Sequence, residues 1–193
     1  MQQHQCALDL FIKRMPNKPY CSNDLSNGLD KRTKRYALER KYVQFNPPVQ
    51  VQAIVIDLDR DDSFIAAEEA NVHIPSVLVR NPENGHGHGI YVLESPVSTS
   101  TKSRIPPQRW LAGIERGYTR RLDGDRGYSG LVCRNPLHHP VIDTGRGYSL
   151  SELDSMLDFE DKAAFYEPKF EVGVGRNVSM FDTVSPWAYQ NVR

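Results

Sequence analysis

The stretch VQVQAIVIDLDRDD, residues 49–62, indicates how this chain folds. Its centre, Ala53 to Ile56, is continuously apolar, and a short apolar run of this kind predicts a strand buried on both faces. The strand ends in an acidic run that begins with Asp57 and Asp59. Side chains two residues apart on a strand point the same way, so the pattern predicts two carboxylates projecting together from the strand end.

Two carboxylates held this close repel each other unless a cation lies between them. Mg²⁺ bound by carboxylates, water and substrate phosphates is a common arrangement in phosphoryl-transfer sites. A solvated acidic turn without a function is the alternative that the residues themselves leave open.

Helices and strands alternate on both sides of this strand, which favours a mixed α+β domain around a sheet of four to six strands. In the helix predicted at 107–122, Trp110, Ile114 and Tyr118 follow the helical period and predict a buried side. Ser149 and Glu152 have the spacing of a capping box. The predicted helices cover 4–14, a strongly basic 29–45, 63–72, 107–122, 150–159 and 179–190, and the predicted strands cover 49–59, 76–80, 86–94 and 128–134.

The composition excludes several classes of protein. The 193 residues include 24 basic and 24 acidic side chains and are 39% hydrophobic, which is too apolar for a disordered chain. No apolar run reaches the roughly 18 residues of a membrane-spanning helix, and the N-terminus lacks the pattern of a signal peptide. Three irregularly spaced cysteines do not suggest a disulfide framework. These features predict a reduced, cytosolic protein.

The charge is banded along the chain. Residues 1–50 and 101–150 each carry nine basic and four acidic side chains, whereas 51–100 carry two basic and eight acidic ones. This banding is compatible with a polyanionic partner held by basic flanks around an acidic centre, and equally with a mixed-charge surface of no consequence.

Three further groups of residues are candidates for function. His86 and His88 flank Gly87 on one face of the next predicted strand, which suits a metal pair, a phosphate contact or merely a polar strand end. Glycines at 85, 87 and 89 leave the other face open to a ligand or another backbone. Asp125 offers a third metal ligand and Arg134 a phosphate contact. Cys133, His138 and His139 match no standard zinc spacing, and Cys133 fits a core position better.

Taken in order, these motifs resemble the archaeo-eukaryotic primase superfamily, whose core has an hhhDhD strand, an s-x-H strand and a later hD. Within it the chain resembles the replicase family, the initiator–primases of ColE2-type plasmids. The resemblance rests on six segments in family order: MPNKPYCSND (15–24), IDLDRDD (56–62), VRNPENGHGHGIYVL (79–93), YSGLVCRNP (128–136), YSLSELDSML (148–157) and GVGRNVSMFDTVSPWAY (173–189).

The resemblance implies a primase-like catalytic core with an RRM-like sheet flanked by helices. It implies that Asp57, Asp59 and Asp125 hold two Mg²⁺ or Mn²⁺ ions, and that His88 and Arg134 contact the triphosphate of the incoming nucleotide. In that chemistry one ion lowers the pKa of the attacking 3′-hydroxyl, and the other neutralises the triphosphate and leaving pyrophosphate. Roles for His86 and Lys18 do not follow from it.

The implied activity is primer synthesis on DNA from nucleoside triphosphates in the bacterial cytoplasm, with a host DNA polymerase extending the primer. The implied domains are a basic N-terminal segment packed on the core (1–48), the catalytic core (49–168) and the start of a C-terminal helical region (169–193). Members of this family normally continue beyond that point, so the chain is expected either to be truncated there or to be a natural protein that lacks the DNA-recognition part. The basic residues 29–45 are a candidate DNA contact from their charge alone.

Two other functions remain open at this stage. A rolling-circle nicking initiator also carries a histidine pair, but the residue between its two histidines is typically bulky and apolar, whereas here it is Gly87. That function also leaves the strand with Asp57 and Asp59 unexplained. A non-catalytic origin-binding protein retains the fold without the activity. If the family resemblance misleads, a generic metal-dependent phosphotransferase is what remains.

Overall fold

The structure is a computed structural model that describes residues 7–162. It is a mixed α+β fold, which confirms the predicted class. Its helices are α1 (Ala7–Arg14), α2 (Lys34–Ala37), α3 (Ala66–Glu69), α4 (Ile105–Arg121), α5 (Leu150–Ser155) and α6 (Phe159–Lys162). Its strands are β1 (Tyr20–Ser22), β2 (Asp30–Lys31), β3 (Tyr42–Val43), β4 (Gln50–Leu58), β5 (Val77–Arg80), β6 (Gly87–Ser98), β7 (Cys133–Arg134) and β8 (Val141–Asp143).

The strands form two antiparallel sheets. The large sheet has the strand order β4-β6-β5-β8, and the small sheet has the order β2-β1-β3-β7. Strand β4 lies at one edge of the large sheet and pairs along most of its length with β6, where Asp57 stands opposite His88. The predicted strands at 49–59, 76–80 and 86–94 are therefore confirmed, and β8 is a strand in a stretch that the sequence predicted to be a loop.

The large sheet is covered on both faces, as the apolar centre of β4 predicts. Ile54 and Ile56 face one core cluster with Ile114 and Tyr118 of α4. Val55 faces a second cluster that contains α1 and the inner face of the small sheet. Side chains on a strand alternate in direction, so Asp57 is in phase with Val55 and lies on the side of the small sheet.

The predicted basic helix at 29–45 is wrong. That segment consists of β2, the single helical turn α2 and β3. Thr33 caps α2 through a hydrogen bond from the amide of Tyr36, and the helix ends after four residues because the chain turns back into the small sheet. Phe45 is buried as expected, but its ring stacks on Phe11 with 4.5 Å between the centroids. Tertiary pairing has overridden a helical pattern made mostly of solvated charges.

Three predictions need correction in detail. Trp110 is 42% exposed rather than buried, because Leu111, Ile114 and Tyr118 form the buried side of α4. Of the strand predicted at 128–134, only the last two residues pair, as β7. The capping box at Ser149 and Glu152 is present, although α5 is shorter than predicted.

The predicted helix at 179–190 and the matched segment 173–189 lie outside the described residues. No helix in the described part of the chain is long and apolar enough to cross a membrane.

Candidate active site

Three aspartates meet at the end of β4. Asp57 and Asp59 come from the end of that strand, and Asp125 comes from the turn after α4. One carboxylate oxygen of each lies within 4.8 Å of the others, and within residues 7–162 this is the sole such cluster of three or more His, Cys, Asp or Glu side chains. The Asp57 side chain is 22% exposed and that of Asp59 63% exposed, so the cluster opens to solvent.

Asp125 is brought to the cluster by the way α4 ends. The amide of Gly124 donates to the carbonyl of Thr119, and Asp123 adopts a φ of 50°, which together form a Schellman ending. The chain then turns against β4, where the amide of Asp125 donates to the carbonyl of Asp57 at 2.9 Å. Two distant segments are thus joined by a backbone hydrogen bond directly beneath their carboxylates.

This close approach depends on Gly124. A Cβ atom there would lie 2.5 Å from Cγ2 of Ile56 and 3.1 Å from the carbonyl oxygen of Asp57, so no larger residue fits. The Asp125 carboxylate is oriented in turn by the amide of Gly127, which donates to Oδ1 at 2.8 Å. The glycine-flanked turn DGDRG is therefore a positioning element for Asp125.

The two aspartates at the end of β4 are each paired with a histidine at the start of β6. Nε2 of His88 lies 3.1 Å from Oδ1 of Asp57, and Nδ1 of His86 lies 3.2 Å from Oδ1 of Asp59. The antiparallel register produces both pairs, since Asp57 stands opposite His88 and the next residues on the same face are Asp59 and His86. The two motifs that the sequence treats separately form one site.

The tautomer of His88 follows from its neighbours. The backbone amide of Arg134 donates to Nδ1 of His88 at 2.9 Å, so Nδ1 accepts and the proton sits on Nε2. The Nε2–H therefore lies on the side of the ring next to the Asp57 carboxylate. The ring also packs against Tyr128 with 5.3 Å between the ring centroids, and burial raises the pKa of the Tyr128 phenol well above its usual value.

Arg134 reaches the site through β7. Its backbone contacts His88, while Nη1 of its guanidinium donates to the hydroxyl of Tyr42 at 3.2 Å. Arg134 is half-buried, on the face of the small sheet that points away from the core. The structure therefore places its backbone beside His88 and its side chain on Tyr42.

His86 is held by the turn at 81–85. The amide of Asn81 donates to the carbonyl of His86, and the amide of His86 donates to Oδ1 of Asn84. Gly85 has a φ of +76°, and a Cβ there would lie 1.9 Å from the carbonyl oxygen of Asp61. The glycines of this segment thus admit another backbone, which is one of the alternatives that the sequence left open.

The acidic run after β4 divides. Asp57 and Asp59 join the cluster, whereas Asp62 pairs with Arg60, whose guanidinium also contacts Glu69. The hydrogen bond from Arg60 lowers the pKa of Asp62 below its usual value. The backbone carbonyl of Asp61 packs against Gly85. Only the first two acids of the run are therefore directed at the site.

Cys133, His138 and His139 do not form a metal site. Cys133 is 1% exposed, and burial raises the pKa of its thiol to about 12, which keeps it from the thiolate form that zinc requires. A ring nitrogen of His138 lies 3.1 Å from the carbonyl of Leu38, and one of His139 lies 3.1 Å from that of Asn135. Cys133 is a core residue, as the sequence favoured.

Several residues of the site escaped sequence reasoning. Tyr42 lies within the predicted basic helix 29–45, and neither Tyr128 nor Gly124 has a role in the sequence analysis. The matched segment YSGLVCRNP contains Tyr128 and was the available signal for it. No signal in the sequence pairs Tyr42 with Arg134, since the two are brought together by β3 and β7.

The donor set fits divalent cations. Three carboxylates within 4.8 Å of one another repel unless a cation lies among them. Ligand sets made only of oxygen atoms suit Mg²⁺ and Mn²⁺. Which ions bind, and how many, is part of the proposal below.

Comparisons with known proteins identify the family and a structure with a similar fold. The model of the Replicase family matches residues 14–157. Among solved structures, the chain is similar to the AEP domain of the primase-polymerase of cyanophage S-2L, with a TM-score of 0.55 and 15% identity over 80% of this chain and 97% of that one. At this identity the likeness shows a shared fold. No curated protein sequence matches the chain.

Proposed function

The chain belongs to the Replicase family, and we propose that it is a replication initiator primase that synthesises short primers on DNA from nucleoside triphosphates. The observation that carries this proposal is the cluster of Asp57, Asp59 and Asp125 on a fold shared with a primase-polymerase domain. The family supports a role in replication, and the fold supports nucleotidyl transfer.

In this proposal the three aspartates hold two Mg²⁺ or Mn²⁺ ions. Bound there, such ions would lower the pKa of an attacking 3′-hydroxyl and neutralise charge on the triphosphate. The aspartates are arranged for this task before any ligand arrives, because β4, β6 and the end of α4 fix their backbones.

His88 and Arg134 are proposed to contact the triphosphate. The Nε2–H beside Asp57 is the only N–H of the His88 ring in this tautomer, so it is the group that would donate to a phosphate oxygen. The guanidinium of Arg134 suits bidentate contact with phosphate. A priming enzyme needs such donors because no base-paired primer end holds its first nucleotide.

The remaining parts of the proposal concern the whole protein. In it, residues 49–168 are the catalytic core and residues 1–48 a basic segment packed on it. The template is DNA, and a host DNA polymerase in the bacterial cytoplasm extends the primer.

The test is primer synthesis on single-stranded DNA with labelled ribonucleotides and Mg²⁺ or Mn²⁺. We expect short products from the wild type. In Asp57→Asn and Asp59→Asn the rate of primer synthesis should fall about 100-fold or more, which exceeds the loss typical of residues that only support a metal ligand. Asp123→Asn is the matched control, because asparagine tolerates the left-handed backbone at 123 and lies outside the cluster.

Two further readouts separate the alternatives. If the wild type makes no product, metal-dependent nucleotide binding that is lost in Asp57→Asn would still support a catalytic site. The absence of both would favour a non-catalytic origin-binding protein. A covalent protein–DNA adduct would instead identify a nicking initiator.

A further inference from the structure

One face of the small sheet carries a row of aromatic, polar and cationic side chains. Tyr42 stands opposite Arg134 on β7 and opposite Ser22 on β1, and Tyr20 stands opposite Lys31 on β2. Directly opposed residues share a face, as do residues two apart on a strand. Lys31, Tyr20, Ser22, Tyr42 and Arg134 therefore lie on the same face, which we call the tyrosine–cation face.

This face points away from the core. The opposite face of the small sheet presents Cys21, Val43 and Cys133, each no more than 1% exposed, to the second core cluster. On the tyrosine–cation face Lys31 is exposed, and the other four side chains are half-buried. Adjacent strands lie about 4.8 Å apart, so the row across four strands is about 14 Å long.

The cations on this face lie against its aromatic rings. Nζ of Lys31 is 5.6 Å from the centre of the Tyr20 ring, and Cζ of Arg134 is 5.5 Å from the centre of the Tyr42 ring. These distances are within the range of cation–π contacts. The result is two flat apolar surfaces, each with a positive charge beside it.

The row begins at the candidate active site. The amide of Arg134 donates to Nδ1 of His88, and Nε2 of His88 lies 3.1 Å from the Asp57 carboxylate. From Arg134 the row leads across β3 and β1 to Lys31 on the outer strand β2. A polymer lying along it would therefore have one end beside the aspartates.

We propose that the tyrosine–cation face binds the single-stranded DNA template, with bases against Tyr20 and Tyr42 and a phosphate near Lys31. Every base offers a π face for stacking, and aromatic rings beside positive charges are the usual means of binding single strands without sequence preference. The chain as a whole has a net charge of zero, so attraction to DNA must come from a local surface of this kind. The inference rests on the proposed function, which supplies the need for a template.

The experiment measures binding of a fluorescently labelled, mixed-sequence single-stranded oligonucleotide to the whole chain by anisotropy, without metal or nucleotide. We expect Tyr20→Leu and Tyr42→Leu each to weaken binding about 5-fold or more, the loss typical of removing one stacking ring. Tyr20→Phe retains the ring and is expected to bind like the wild type. Lys31→Gln is expected to reduce the slope of log K against log salt by about 0.7.

Trp110→Leu is the matched control. Trp110 is also an exposed aromatic residue near an arginine, but it lines a groove of about 500 Å³ with Arg104 and Val97, at the far end of β6 from His88. We expect this variant to bind as the wild type does. A hairpin duplex is a second control, because its bases are stacked inside and the tyrosine variants should not alter its binding.

Several results would overturn the proposal. The first is a wild type that does not bind single strands. The second is a Tyr20→Leu variant with the melting temperature and the oligonucleotide affinity of the wild type. The third is a loss of affinity that occurs only in Trp110→Leu. Because binding is measured without metal or nucleotide, it is independent of catalysis. If the wild type makes primers but Tyr20→Leu binds single strands normally, template binding at this face is refuted and the primase function stands. If the variants show the expected binding losses but the wild type makes no primers, the primase function is refuted and single-strand binding at this face stands.

Discussion

Asp59 and His86 illustrate how single residues complete the site. Asp59 is the most exposed partner in the two aspartate–histidine pairs, so its carboxylate has little packing around it to fix its direction. The Nδ1 atom of His86 contacts one of its two oxygens, and the turn at 81–85 fixes the His86 backbone. We infer that His86 is a positioning residue for Asp59.

Replacing His86 tests this role. We expect His86→Ala to lower kcat of primer synthesis and Mn²⁺ affinity by about 10-fold, within the range found when an outer-shell partner of a ligand is removed, with KM for the nucleotide little changed. Asparagine places a polar atom where Nδ1 stands, so His86→Asn should recover most of the loss. Calorimetric Mn²⁺ titration and steady-state kinetics measure both. An alanine variant with wild-type affinity and kcat would show that the contact positions nothing.

Asp123 and Gly124 are neighbours with opposite steric demands. At position 123 the backbone has a φ of 50°, which is a strained conformation for any residue with a Cβ atom. At position 124 a Cβ atom would clash with Ile56 and Asp57. We expect Asp123→Gly to raise the free energy of unfolding by up to about 1 kcal/mol. Gly124→Ala should lower it by about 1–3 kcal/mol through overpacking and should reduce primer synthesis by moving Asp125.

Urea unfolding of the two variants, followed by circular dichroism, checks this pair. The decisive feature is the opposite sign of the two changes. If both substitutions changed the unfolding midpoint in the same direction, the described path of the chain from α4 to Asp125 would be wrong.

Among the elements, α5 shows how a local sequence signal fixes a helix. The amide of Ser149 donates to the Glu152 carboxylate, and the hydroxyl of Ser149 and the guanidinium of Arg146 add further hydrogen bonds. These contacts lower the pKa of Glu152 to about 2 from 4.5. The carboxylate is thus more stable ionised in the folded state than in the unfolded one.

The sign of the pH effect follows. An acid whose folded pKa is depressed contributes its full stabilisation above the unfolded pKa and loses it as pH falls toward the folded one. We expect this contribution to be complete above about pH 5 and to disappear between about pH 4.5 and 2. Glu152→Gln keeps an acceptor for the cap but does not titrate, so its melting temperature should fall less over that window. Scanning calorimetry from pH 2 to 6 measures the difference, and parallel curves would contradict it.

For the whole molecule, Asn135 links two distant parts of the chain at the small sheet. This residue is fully buried, and its Nδ2 donates to the carbonyls of Leu38 at 2.8 Å and Arg40 at 2.7 Å. Its amide also donates to the carbonyl of Lys41. Asn135 directly follows β7, so it holds the segment between α2 and β3 beside the strand that carries Arg134.

Removing this side chain should therefore weaken the whole fold. Asn135→Ala takes a donor from the half-buried carbonyls of Leu38 and Arg40, and we expect a loss of about 1–3 kcal/mol in the free energy of unfolding. Asn27→Ala removes an exposed amide that contacts Asp24, and it should cost about 0.5 kcal/mol or less. Chemical denaturation of both variants checks this, and equal effects would show that the bonds of Asn135 are not important for the fold.

The sequence by itself determined the elements whose signals are local. The apolar run of β4 specifies burial on both faces, and its first two acids must project together because side chains alternate along a strand. The period of α4 and the capping box of α5 also depend only on residues a few positions apart. The spacing of the residues does not connect Asp125 with Asp57 and Asp59. The resemblance to the family is what placed the three aspartates in one site.

Tertiary structure decided what depends on distant partners. Residues 29–45 read as a helix, yet they form strands because β1 and β7 pair with Tyr42 and Val43. The pairing of Asp57 with His88 requires the register of β4 and β6, and the contact of Arg134 with His88 requires β7 to lie beside the large sheet. These choices are governed by long-range hydrogen bonding and burial, which a periodicity in one segment does not encode.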